Sequence, residues 1–241
     1  MEARRARVTG ARRIFSYNWP IYVGTWVASL VVLALAPWWM KVGAAVALAW
    51  SAGSLVVSHW VYDRSPLAAG TWVDPLLPAR TEAWASIDAG LDAEVALAPP
   101  GRCIARLDIY DGSVVHAPSV RRARAMTPRS HVATAASALA LPLPDASCDL
   151  IAVVFTAHEI RDRAHRERFF AELWRSLRPH GRVLLVEHVR DVANFAAFGP
   201  GYVHFQPRAE WLRLAALTKL DVVTETRVTP FVMALALEKR A

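Results

Sequence analysis

The chain has 241 residues, 54% of them hydrophobic, with a formal charge of +7, enough for one ordinary core with residues to spare. The charge is unevenly placed: residues 1–41 carry six Lys/Arg against the single acid Glu2, which leaves a surplus of only two cations over residues 42–241. No basic stripe for nucleic acid is therefore expected, and two cysteines without metal-type spacing, Cys103 and Cys148, exclude a zinc finger and a disulfide framework.

In chain order, Ile21–Ala36 (IYVGTWVASLVVLALA) and Val42–Tyr62 (VGAAVALAWSAGSLVVSHWVY) contain no Asp, Glu, Lys or Arg. Each approaches the roughly 20 apolar residues that cross a hydrocarbon layer, the first reaching that length with Trp38 and Trp39 included. PWWMK between them suits a tight hairpin. Trp19, Tyr22, Trp38, Trp39, Trp60 and Tyr62 cluster where the runs end, as rings of mixed polarity do at a membrane boundary. Arg4, Arg5, Arg7, Arg12 and Arg13 precede the first run and Arg64 follows the second, while the tip holds only Lys41. Both ends are thus expected on the cytoplasmic side, the basic cluster facing anionic headgroups. Pro37 directly after Ala34-Leu35-Ala36, and a second apolar run at once, argue against a cleaved signal peptide. Residues 1–64 are read as a basic segment with a transmembrane hairpin in the inner membrane, and residues 65–241 as a cytoplasmic domain.

After Arg64, short apolar runs alternate with amphipathic stretches, the pattern of an α/β sheet. Strands are predicted at Ala85–Ala89, Cys103–Ile109, Leu150–Phe155, Val183–Glu187, Asp221–Val228 and Phe231–Leu237, with a short one at His131–Ala135. Arg163–Leu177 places Phe169, Phe170, Leu173, Trp174 and Leu177 at helical spacing, and Arg178-Pro179-His180-Gly181 ends that helix. Only Thr229-Pro230 separates the last two strands, so they are expected to pair antiparallel, while the helix-linked strands run parallel.

The segments LPLPDASCDLIAVVFTAHEI (141–160) and FFAELWRSLRPHGRVLLVEH (169–188) resemble the class I S-adenosylmethionine-dependent methyltransferases, of the type 11 kind. That family has a proline-flanked turn before a buried strand, then a helix closed by a turn of the kind LRPHG makes here. The resemblance covers roughly residues 84–238 and implies a Rossmann-like sheet with an antiparallel terminal strand pair. It implies S-adenosylmethionine as cofactor, with Asp88 and Gly90 matching the start of the glycine-rich loop and Asp108 matching the acid that binds the ribose; Asp111 competes for that role. In SIDAGLDAE (86–94), Asp92 and Glu94 stand at later glycine positions, and Ser137 stands where many relatives carry an adenine-contacting aspartate. An acidic loop disfavours phosphate-bearing dinucleotides, whereas the ammonium and sulfonium of S-adenosylmethionine are cations it attracts.

Ligands of open α/β sheets lie beyond the carboxyl ends of the strands, which is where His158, Glu159 and His188 fall. A histidine near its unperturbed pKa can take the proton released by a methylated oxygen, nitrogen or sulfur, so these three are the candidate catalytic residues. No zinc-protease motif is present, because HEIRD puts Asp162 where the second histidine of HExxH is needed. No metal is assigned; a two-histidine-plus-acid set of His158, Glu159 and His188 is geometrically open but has no spacing signal. Val192–Phe205 (VANFAAFGPGYVHF) reads as a substrate wall, with Asn194, Phe198, Tyr202 and His204 as contacts and Gly199-Pro200-Gly201 as a flexible centre. The expected activity is methyl transfer to a small hydrophobic or lipid-like acceptor at the bilayer, a homo-oligomer being compatible with it. The alternatives are a methyltransferase-fold scaffold without catalysis and an isomerase or cyclase using the same acid-base residues.

Overall fold

The apolar runs form helices α1 (Gly10–Leu35) and α2 (Trp38–His59) in the computed structural model, which describes residues 10–89, 97, 99–111, 114, 117–126 and 133–240. Helix α1 starts well before the apolar run because its first amide has a partner. The Gly10 N–H donates to both oxygens of Asp63, at 2.7 and 3.0 Å, an anion at the positive end of the helix. PWWMK is not a loop: Trp38–Lys41 already belong to α2, and the turn is confined to Ala36–Pro37. Proline cannot continue the first helix but readily precedes the second.

Small hydroxyl residues close the seam between α1 and α2. Tyr22 Oη and Ser54 Oγ lie 3.0 Å apart, and Trp26 Nε1 donates to Ser51 Oγ at 2.8 Å, which suits helices packed where water is scarce. The outward faces expose Ile21, Val27, Leu30, Leu35, Val42 and Val46. Both helices are long and apolar enough to cross a membrane, and only 11% of each apolar window is buried, unlike a core helix.

Beyond a π-helical turn (Trp60–Arg64) and the short α3 (Pro66–Ala69), the chain enters a seven-stranded sheet. Its strands are β1 (Ala83–Asp88), β2 (Arg102–Asp108), β3 (Thr134–Ala135), β4 (Cys148–Val154), β5 (Leu177–His188), β6 (Leu220–Thr229) and β7 (Val232–Lys239). The order is β3-β2-β1-β4-β5-β7-β6. Every pairing among β1 to β5 is parallel, and β7 runs antiparallel between β5 and β6. The links α4 (Pro118–Met126) and α5 (Arg163–Ser176) supply crossovers; α6 (Val192–Phe198) and α7 (Arg208–Leu217) follow β5. Central strands are almost continuously apolar because both faces are covered.

One face packs against Phe169, Phe170, Leu173 and Trp211 of α5 and α7. The other is covered by the end of the hairpin and the segment after it: Val61, then Leu67, Val73 and Leu76, join Trp84, Leu150, Leu184 and Val186 in a second apolar cluster. The hairpin is therefore continuous with the core of the domain it precedes.

Gly101, between the foot of β1 and the start of β2, has φ +85°, and a Cβ there would lie 2.3 Å from Thr81 O and 2.8 Å from Glu82 O. Gly101→Ala is expected to cost about 2 kcal/mol or more, from left-handed strain plus the clash. Thermal denaturation in detergent, following the loss of sheet signal, would refute this by giving an unchanged midpoint.

Candidate active site

The carboxyl ends of β4 and β5 are joined by one carboxylate. Glu187, next to last in β5, has no solvent exposure. Its Oε1 accepts the backbone N–H groups of Thr156, Ala157 and His158 at 3.1, 2.8 and 3.3 Å, and its Oε2 accepts from His158 Nδ1 at 2.6 Å. This grip holds Phe155 at φ +48°, a region that costs a non-glycine residue on the order of 1–2 kcal/mol and is found where surrounding structure imposes it. The turn presents His158 and Glu159, both buried.

Burial alone would depress the His158 imidazolium, but Glu187, then Glu159, outweigh it and raise its pKa to about 10. At neutral pH His158 is a cation that donates hydrogen bonds, so the expectation of a vacant base at this position changes. Glu159 is held well below the usual carboxylate range: burial pushes it up, and His158 and His204 more than reverse that. His204 Nε2 lies 2.9 Å from Glu159 Oε1, and His158 Nε2 lies 3.3 Å from the same oxygen. Glu159 Oε2 is buried without a hydrogen-bond partner among the described residues.

His188 stands beside this cluster in a different state. Its Nδ1 lies 2.8 Å from the Phe231 carbonyl, which can only accept, so Nδ1 carries the proton and Nε2 receives the Tyr62 hydroxyl at 2.7 Å. Burial, and next the nearby His158 cation, lower its pKa to about 4. The ring is neutral with both nitrogens engaged, which makes it a wall between Phe155 and Phe205, stacked at 5.0 and 4.8 Å.

The segment predicted as a flexible substrate wall is ordered as α6 and a 3-10 turn, Gly199–His204. Asn194 is fully buried; its amide donates to Asp191 Oδ1 and Phe231 O, both at 3.1 Å, so it braces His188. Phe198 packs on His188 and Phe231, and Tyr202 on Phe195. His204 alone of that set joins the His158–Glu159 cluster, held from behind by Arg161, which donates to its carbonyl at 2.8 Å and to its Nδ1. Sequence reasoning missed Glu187, Arg161 and Tyr62. A charged residue ending the run VLLVEH was the available signal for Glu187; Tyr62 arrives from 126 residues away, with none.

At the other end of the cleft, Asp88 and Asp108 end β1 and β2 in register. Asp108 is buried, its carboxylate accepting the Tyr110 N–H at 3.0 Å and paired with Arg124 of α4, a partner the sequence did not suggest. Beside it Tyr110, Asp111, Ala135, Ala136 and Ser137 line an open cleft of about 510 Å³. Gly90, Asp92 and Glu94 lie outside the described residues, as do 131 and 132 of the short predicted strand.

Residues 97–185 match the family model of a methyltransferase domain. The fold is similar to a SAM-dependent methyltransferase from Aquifex aeolicus, at 14% identity and TM-score 0.54, covering 78% of this chain and 97% of that one. It is also similar to a Haloferax volcanii protein solved in complex with the Trm112 methyltransferase activator, at 14% identity and TM-score 0.51, covering 75% and 92%. No curated protein matches the chain in sequence. Residues 97–185 thus match a methyltransferase domain, set within the fold of the class I methyltransferases. The cleft at β2 and β3 fits the adenosine part of S-adenosylmethionine: it offers the Asp111 carboxylate for a diol and a hydroxyl, Ser137, whose Oγ accepts the Leu139 N–H at 3.1 Å and whose hydrogen is left to donate. Asp108 is buried and shares its carboxylate with Arg124, whereas Asp111 stands at the exposed rim of the cleft.

Because the folded His158 pKa of about 10 exceeds its ordinary 6.5, the cluster's stabilisation is complete below pH 6.5 and is lost as pH rises through 10. Glu187→Gln should lower stability at pH 7 by about 3–5 kcal/mol, as expected for a broken buried pair, and flatten the alkaline decline. Denaturation midpoints between pH 6 and 10 in chelator-containing buffer test this; an equally steep decline in the variant would refute it.

Proposed function

We propose that this methyltransferase acts at a membrane surface, moving a methyl group from S-adenosylmethionine to a small hydrophobic or lipid-like acceptor. The reading is carried by one observation: the apolar hairpin is built into the wall of the candidate active site. Tyr62 at its foot hydrogen-bonds His188, Trp50 Nε1 donates to Ala196 O of α6 at 2.8 Å, and Trp50 packs edge-on against Phe195. Arg122 of α4 donates to Tyr17 O at 2.6 Å.

These contacts limit how far the hairpin can reach. At 1.5 Å per residue, α1 extends about 27 Å beyond Tyr17 and α2 about 18 Å from Trp50 to Trp38, less than the roughly 30 Å of a hydrocarbon core. A tip inserted to that depth brings α6 and the 3-10 turn down to the headgroups, where Val192 and Val203 are exposed. An acceptor with an apolar body would then enter beside α6 with its head toward His158, Glu159 and His204.

S-adenosylmethionine, when bound, supplies an electrophilic methyl on a sulfonium. The protein's part is alignment: the wall of Phe155, His188, Phe198 and Phe205 confines the acceptor and excludes water, and the Glu159 carboxylate is placed to accept a hydrogen bond from a nucleophilic O–H or N–H. Alignment of this kind accounts for much of the acceleration in such transfers.

Titration calorimetry of the full chain in detergent should show one site for S-adenosylmethionine and its demethylated product, weakened about tenfold, or roughly 1.4 kcal/mol, by Asp111→Asn. Folded protein without heat of binding would instead support a scaffold. For the membrane reading, Val192→Asp with Val203→Asp should reduce flotation with anionic vesicles and slow transfer of labelled methyl to vesicle-borne acceptors, leaving cofactor affinity intact. Equal flotation by the variant would remove the basis for docking.

A further inference from the structure

His158, Glu159 and His204 each bring a ligand atom to within 4.8 Å of the others, in a set of two imidazoles and one carboxylate. His158 and Glu159 are buried and His204 is half-buried. Two features go beyond proximity. Glu159 Oε2 is buried and has no hydrogen-bond partner among the described residues, which is costly for a carboxylate oxygen unless a cation meets it. Glu187 Oε2 accepts a hydrogen bond from His158 Nδ1 at 2.6 Å, turning Nε2 toward Glu159. A carboxylate behind a histidine is the outer arrangement that orients metal-binding imidazoles and raises their basicity.

We propose that His158 Nε2, the Glu159 carboxylate and His204 Nε2 form a binding site for a divalent transition-metal ion of the zinc class, with Glu187 orienting His158. Two neutral nitrogen donors and one carboxylate match the ligand set of zinc sites that keep an open position, and they disfavour magnesium and calcium, which require oxygen. The ion takes the place of the proton on His158 Nε2, and that proton leaves to solvent. His188 is outside the set, since Tyr62 and Phe231 occupy both its nitrogens.

Arg161 opposes the ion. It donates to His204 Nδ1 and to the His204 carbonyl; ligation through Nε2 puts a proton on Nδ1, so Arg161 keeps only the carbonyl bond. The site is therefore tunable from this position, which is not a ligand. The inference rests on the cluster's geometry; the ion would occupy the Glu159 carboxylate that the proposed acceptor contact uses, so the two are tested separately.

The test uses the full chain in detergent, stripped with chelator and titrated with Zn²⁺, Co²⁺ and Mg²⁺. Expected are one Zn²⁺ per chain, visible d–d absorption with Co²⁺, and no comparable uptake of Mg²⁺. His204→Ala and Glu159→Gln should each weaken Zn²⁺ binding more than tenfold, Glu187→Gln by about 10- to 100-fold, and Arg161→Met should tighten it. Folding of each variant is checked by its melting transition; should Glu159→Gln unfold, the half-exposed His204→Ala decides. Zn²⁺ affinity unchanged in folded His204→Ala, or substoichiometric uptake, would overturn the site, whatever the cofactor titration shows.

Discussion

The site depends on a single buried carboxylate accepting four hydrogen bonds. Glu187 closes the gap between the ends of β4 and β5 by gathering three consecutive backbone amides and one imidazole. A charged group without exposure is tolerated only when its lone pairs are satisfied and a counter-charge is near. His158 supplies that charge, so the same pair that stabilises the turn also sets the protonation state of the histidine. The left-handed backbone at Phe155 follows from this, because the amides after it must converge on one oxygen.

Two histidines a short distance apart are driven in opposite directions by what faces them. His158 meets carboxylates and becomes cationic; His188 meets a carbonyl, a hydroxyl and the neighbouring cation and stays neutral. Residue type alone assigned them the same role, general base. Their surroundings make one a charged donor and the other part of an aromatic wall, neither of them a vacant base.

The hairpin is part of the domain's packing. Val61 at its end, with Leu67 and Leu76 just beyond it, completes the second face of the sheet, and Tyr62 completes the polar lining at His188. The wall around His188 thus shares its packing with the apolar arm, so loosening the arm disturbs the core and the cleft together.

Much of the fold was legible in the sequence because it follows from local periodicity. Continuous apolar runs such as LIAVV and VLLV indicate strands covered on both faces, Phe169, Phe170 and Leu173 at helical spacing mark α5, and the short Thr229-Pro230 link requires an antiparallel pair. The motifs around 141–160 and 169–188 brought the family and its cofactor within reach. The site was only half legible. His158, Glu159 and His204 were singled out as types, but their union and the separation of His188 from them were not, since these rest on Glu187, Arg161 and Tyr62, partners 29, 43 and 126 residues away. The sequence by itself determined which segments are strand, helix and apolar arm, because those depend on neighbours a few residues apart. Tertiary structure alone decided which charges meet, and with that the ionisation of each buried group, because electrostatics in a dry interior is governed by distance through space and not along the chain.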